Sequence, residues 1–141
     1  GAFGYELDLN ELSEEEQETV KEQVAFYKQH RHLFQHGTFY RIDSPDTATD
    51  NVYGWQVVND DQSEAIAVRF QILNEPNPGY IFYFTGLDPE KTYQVNDDEE
   101  TYSGAELMNA GYFVARIMPR SASPKPLADF NATMFVVKAV D

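Results

Sequence analysis

The sequence predicts a mainly β protein: an antiparallel β-sandwich of Greek-key type, with about seven or eight short strands, preceded by one long N-terminal α-helix. Two patterns predict it. A capping signal at Ser13 opens a one-sided apolar stripe of helical period that runs to Phe34. Beyond Gly37 the period falls to two residues, and a turn signal recurs about every 8–12 residues. Size bounds both: 141 residues, 42% apolar and 14% aromatic, suffice for one domain with a core and are short for two.

In chain order, Gly1-Ala-Phe-Gly-Tyr-Glu-Leu-Asp-Leu9 is a short aromatic run of strand character. Ser13-Glu-Glu-Glu16 then starts the helix. Ser13 accepts from the Glu16 N–H while the Glu16 carboxylate reaches back to the Ser13 N–H. Glu14, Glu15 and Glu16 suit the positive end of the helix dipole; Lys28, His30, Arg31 and His32 suit the other end. Gly37 is expected to take positive φ and stop the helix. Val20, Val24, Tyr27 and Phe34 form the stripe, with Phe26 and Leu33 to one side and Leu12 before the start. Each contributes roughly 1.5–3 kcal/mol if fully covered. A strand followed by a one-sided helix is half of a parallel β–α unit, and no second unit follows. The pair reads as the last repeat of a series whose earlier members are not in the chain.

The strands come next. Thr38 to Ile42 is short, and Asp43 to Asn51 is a loop by composition. Tyr53 to Val58 follows, with Trp55 and Val57 on one face, and Asn59-Asp-Asp-Gln62 is a hairpin turn. Glu64 to Leu73 alternates clearly: Ile66, Val68, Phe70 and Ile72 share one face, Arg69 and Gln71 the other. Asn77-Pro78-Gly79 is a turn. Tyr80 to Thr85 is apolar on both faces, which predicts a central, well-covered strand. Asp88-Pro89-Glu90-Lys91 suits a type I turn, and Thr92 to Asn96 makes a strand closed by Asp97-Asp-Glu-Glu100. Ser103-Gly-Ala-Glu106 is a second capping box, predicting a helical turn or two from Gly104 to Ala110 that ends at Gly111. Tyr112 to Met118 is a strand, Pro119 to Leu127 an exposed loop, and Met134 to Val140 the last strand.

Charge and cysteine content exclude several classes. A formal charge of −14 is repelled by nucleic-acid backbones and anionic membrane surfaces, so neither is an expected partner. With no cysteine there is no disulfide framework and no thiolate zinc site, which fits a reducing cytoplasm. No apolar run reaches the roughly 18 residues a bilayer span needs.

A family resemblance rests on the opening segments. Gly1 to Leu9, Leu12-Ser-Glu-Glu-Glu16, Val20-Lys-Glu-Gln-Val-Ala-Phe-Tyr-Lys28 and Phe39-Tyr-Arg41 resemble the C-terminal part of bacterial α-galactosidases (melibiases) of glycoside hydrolase family 36. The likeness continues through Trp55-Gln-Val-Val58, Ser63-Glu-Ala65, Gly86-Leu-Asp-Pro89, Tyr93, Val95, Tyr102-Ser-Gly104, Glu106-Leu-Met108 and Ala110-Gly111. It implies that residues 1–37 are the last strand and helix of a catalytic (β/α)8 barrel, and that 38–141 are the C-terminal antiparallel β-sandwich. It further implies a cytoplasmic parent enzyme that hydrolyses terminal α-D-galactosides of the melibiose and raffinose type with retention. Such an enzyme uses two aspartates and no cofactor, and forms homo-oligomers, commonly tetramers. The family's nucleophile motif and its acid/base segment both lie outside the positions that match. No aspartate here takes either role, so no catalytic residue is assigned, and the chain alone is expected to be inactive. Its implied part is to brace the barrel and support oligomer contacts. A stand-alone carbohydrate-binding or interaction module is the alternative.

The residues themselves offer few sites. Glycoside hydrolysis usually needs two carboxyls about 5–10 Å apart, but with 24 acidic residues sequence proximity carries no weight. Glu14-Glu-Glu16, Asp60-Asp61 and Asp97-Asp-Glu-Glu100 read as caps and turns. Among His30, His32 and His36 only the last two share a helix face, and no carboxylate completes a ligand set, so no metal is expected. Trp55, Tyr80, Tyr83, Tyr93, Tyr102 and Tyr112 are candidate sugar platforms, read first as core, and Trp55 is expected inside. If Gly1–Leu9 is a barrel strand, Glu6 to Asn10 lies near the barrel mouth. Substrate-binding residues stay unassigned.

Overall fold

A computed structural model of the chain describes residues 4–8, 10–43, 51–73, 79–115 and 129–140. Helix α1 (Glu14–His36) starts at the predicted capping box: Ser13 Oγ accepts from the Glu16 N–H at 3.3 Å, and Glu16 Oε2 accepts from the Ser13 N–H at 2.8 Å. Its end differs from expectation. Gly37 has φ −67° and ψ 158°, an extended conformation, and its N–H donates to the Leu33 carbonyl at 2.8 Å. Glycine is needed there for space: a Cβ would stand 2.6 Å from Leu33 O and 2.9 Å from Val58 O. The strand expected over Gly1–Leu9 is not formed in its described part, residues 4–8. A strand exists only against a neighbour, and no described strand pairs with it. Instead the Tyr5 hydroxyl donates to Gln23 on α1. Asp8 Oδ1 accepts from the Asn10 N–H at 2.9 Å, turning the chain towards the helix.

The described strands are β1 (Thr38–Asp43), β2 (Val52–Val58), β3 (Glu64–Gln71), β4 (Gly79–Phe82), β5 (Thr92–Val95), β6 (Thr101–Ser103), β7 (Tyr112–Ala115) and β8 (Asn131–Val140). All pairings are antiparallel. A six-stranded sheet has the order β1-β2-β3-β8-β5-β6, and β4 pairs with β7 in a small second sheet. The hairpin turn at 59–62 is as predicted, closed by Asn59 N–H to Glu64 O at 3.0 Å. Helix α2 (Gly104–Asn109) carries the second capping box and ends at Gly111, whose φ of +80° only glycine adopts without strain. The predicted loops over 43–51 and 119–127, the turn at 77–79 and the end of the Tyr112 strand fall largely outside the described residues.

Two clusters lie on opposite faces of the six-stranded sheet. Between the sheets, Val58, Ala65, Ala67, Phe82, Phe84, Tyr93, Val95, Leu107, Phe135 and Val137 are buried together. On the other face Leu33 of α1 packs on Val57 and Ile66, with Phe26, Phe34, Trp55 and Val136 around them. β3 is therefore buried on both faces, because small Ala65 and Ala67 admit the opposite sheet as closely as Ile66 admits the helix. Tyr80–Thr85, expected as a central strand, supplies only β4, and Ile81 is 51% exposed. After Phe82 the chain leaves the ladder: Phe84 N–H donates to Leu107 O, and Thr85 N–H donates to the Gln56 side chain. Trp55, expected inside, is half-buried at the helix end, its ring centroid 6.4 Å from Phe34 and 6.2 Å from Phe39.

Candidate functional site

The sequence candidates separate when placed in space. Glu16 and Glu106 are consumed by capping, and the Ser13 and Ser103 N–H bonds hold their carboxyls below the usual range. Asp61 accepts from the Ser63 N–H at 3.0 Å, and Ser63 holds it low as well. Asp98 is lowered first by the Glu100 N–H and then by the Tyr112 hydroxyl, which donates to Oδ2 at 3.0 Å. Among the described residues every resolved carboxyl shift is downward. A glycosidase general acid requires the opposite.

The histidines divide. His32 and His36 share a face, as expected, with ring centroids 5.0 Å apart. They line a concavity of about 180 Å³ with Gly37, Asn59, Asp60 and Asp61. Even so, no group of three or more metal-ligating side chains comes together among the described residues. His30 turns inward instead. It is 4% exposed, its ring lies 4.5 Å from Phe26, and its Nδ1 is 2.8 Å from Glu64 Oε1. A carboxylate only accepts, so the ring donates.

The aromatic candidates do not converge on one platform. Tyr93 is fully buried; its hydroxyl donates to Gln62 O at 2.7 Å and accepts from the Asp88 N–H at 2.9 Å, tying two turns together. Tyr102 and Tyr112 meet edge-on at 5.5 Å beside Asp98. Burial, then the bond to Asp98, pushes the Tyr112 phenol up to about 12. Tyr80 lies under the Arg69 guanidinium at 3.8 Å, and its buried hydroxyl has no hydrogen-bond partner among the described residues. Tyr83, just past the end of β4, is 38% exposed.

What remains is the seam between α1 and the sheet. Leu33, 2% exposed, fills the space over Val57 and Ile66, and His30 pins the helix to the start of β3. Such a seam does no chemistry of its own. It fixes one helix against one sheet by an apolar plug and one hydrogen bond. The stripe expected at Val20, Val24, Tyr27 and Phe34, with Phe26 and Leu33 to one side, packs along that side. Phe26, His30 and Leu33 are spaced i, i+4, i+7, so the signal was present once histidine is admitted to an apolar face. Among the described residues no helix is long and apolar enough to cross a membrane.

Two family models match parts of the chain. Residues 52–137 match the glycosyl hydrolase family 36 C-terminal domain, and residues 1–37 match melibiase. The α-galactosidase AgaA of Geobacillus stearothermophilus is 41% identical over 141 residues, covering 99% of this chain and 18% of that protein. The crystal structure of the α-galactosidase from Lactobacillus brevis superposes with a TM-score of 0.84 at 55% identity, covering 97% of this chain and 18% of that one. A variant of AgaA in complex with raffinose superposes with a TM-score of 0.77 at 40% identity, over 98% of this chain and 18% of that one. The chain thus spans under a fifth of the length of these relatives.

Proposed function

The chain belongs to glycoside hydrolase family 36, and from that premise we propose that it is the non-catalytic C-terminal part of a retaining α-galactosidase. The substrates of that enzyme are terminal α-D-galactosides of the melibiose and raffinose type. In this reading residues 1–37 are the last strand and helix of the catalytic barrel, residues 38–141 are the sandwich that braces it, and the barrel is the sandwich's first partner. A cytoplasmic, homo-oligomeric enzyme, tetrameric by family resemblance, completes the reading. One observation carries it: a single continuous segment matches melibiase over 1–37 and the C-terminal domain over 52–137, and the α1–sheet seam joins the two parts.

The test is hydrolysis of a nitrophenyl α-galactoside. The full-length polypeptide should release nitrophenol, and the pure 141-residue chain should release none. Release by the pure chain would overturn the non-catalytic assignment; a full-length protein without α-galactosidase activity would overturn the enzyme assignment. Light scattering of the full-length protein tests its assembly, and a monomer would remove the oligomer from the reading.

A further inference from the structure

We infer that an aromatic ledge beside α1, formed by Phe39, Tyr53, Trp55, Phe70 and Met134, is the seat of further catalytic-domain surface in the full-length polypeptide. The inference rests on the family reading above. The register of the large sheet lays its helix-side residues in rows. Val57, Ile66 and Val136 form the row that α1 covers. The next row is Trp55, Val68 and Met134, with Arg41 of β1 at its edge, and the one after it pairs Tyr53 with Phe70. The helix reaches only as far as Trp55, through Phe34. Phe39, the β1 partner of Val57 at the edge of the covered row, is 63% exposed, and past the Trp55 contact Met134 is 47% exposed and Tyr53 46%. Their rings are already ordered against one another: Phe39 on Trp55 at 6.2 Å, and Tyr53 on Phe70 at 5.0 Å, both stacked.

An apolar face of this kind on a chain of charge −14 is built to be covered. Continuity identifies the occupant. The ledge is the direct extension of a seam whose helical side matches melibiase and whose sheet side matches the C-terminal domain. The same two parts therefore already meet at the ledge's border. More than four-fifths of the α-galactosidase chain from Lactobacillus brevis lies outside the matched portion, so catalytic-domain surface of ample size exists in such a polypeptide. The exposed Ile81 and Phe113 of the small sheet lie beyond the opposite face of the large one and have no such continuity.

Hydroxyl-radical footprinting of the full-length protein, read by mass spectrometry at two protein concentrations, tests this. Phe39, Tyr53 and Met134 should be modified several-fold more slowly than Phe113, equally at both concentrations. Modification of Tyr53 and Met134 at the rate of Phe113 would show an uncovered ledge and overturn the inference. Protection that disappears on dilution would assign the ledge to a second copy of the chain and overturn it too. Nitrophenyl α-galactoside hydrolysis, measured on the same sample, separates the two levels. An active enzyme with a bare ledge sinks the docking surface alone, whereas an inactive one sinks the α-galactosidase reading beneath it.

Discussion

Gln56 is a fully buried amide in the middle of β2, facing the core between the sheets, and replacing it gives the sharpest stability prediction. Its Nε2 donates to Thr85 O at 2.6 Å, and its Oε1 accepts from the Thr85 N–H at 3.1 Å. One side chain thus performs the ladder pairing that the 83–87 segment lacks. Gln56→Leu keeps the volume and strands both Thr85 groups. At about 1–3 kcal/mol for each stranded group, discounted because Thr85 is half-buried, the loss should be about 2–4 kcal/mol. Gln56→Glu is more diagnostic. Above its folded-state pKa the carboxylate faces the Thr85 carbonyl with no proton to give; once protonated it donates again. Burial raises that folded pKa, so the variant should regain stability as pH falls through it and lose it as pH rises. Urea melts of the chain, followed by the fluorescence of its single tryptophan, measure both. A loss below about 0.5 kcal/mol for Gln56→Leu, or a Gln56→Glu deficit independent of pH, would refute the role assigned to this amide.

Other expectations are simpler. Trp55→Ala should cost about 2 kcal/mol in urea melts, below the 3–5 of a fully buried aromatic, because half of the ring is open. Gly37→Ala should cost about 1–3 kcal/mol despite its ordinary φ, since its methyl group would press on two backbone carbonyls. The caps at Glu16 and Glu106 have lowered carboxyl pKa values, so their contribution is complete above the ordinary 4.5 and is lost as pH falls through the folded values. Acid titration of Ser103→Ala should accordingly show a shallower loss than the parent chain. Tyr112 should ionise only near pH 12, and ultraviolet titration of Asp98→Asn should move that step down, though not fully, because burial remains its larger cause.

Local signals were legible and long-range ones were not. Both capping boxes declared themselves because Ser and Glu three residues apart satisfy each other within one turn. The hairpin at Asn59 did so through its own side chain, whose Oδ1 accepts from the Glu64 N–H. By contrast β6 has three residues, too few for any period, and exists through β5 beside it. Gln56 reads as a polar residue in a strand until Thr85, 29 residues away, is brought to it. His30 reads as a cation at a helix end until Glu64, 34 residues on, turns it into a pin. The aromatic residues were visible as a composition, but which are plugs and which are ledge depends on where α1 stops. Family membership was legible because residue identities carry it without any geometry.

Calorimetry of the full-length protein bears most directly on the claim that residues 38–141 brace a catalytic barrel through the α1 seam. One cooperative transition is expected, in which α-galactosidase activity and the sandwich's folded signal are lost together. His30→Ala combined with Leu33→Ala should lower that transition or split it in two. A wild-type protein whose sandwich melts in a separate transition, with activity unaffected by it, would contradict a bracing role for residues 38–141.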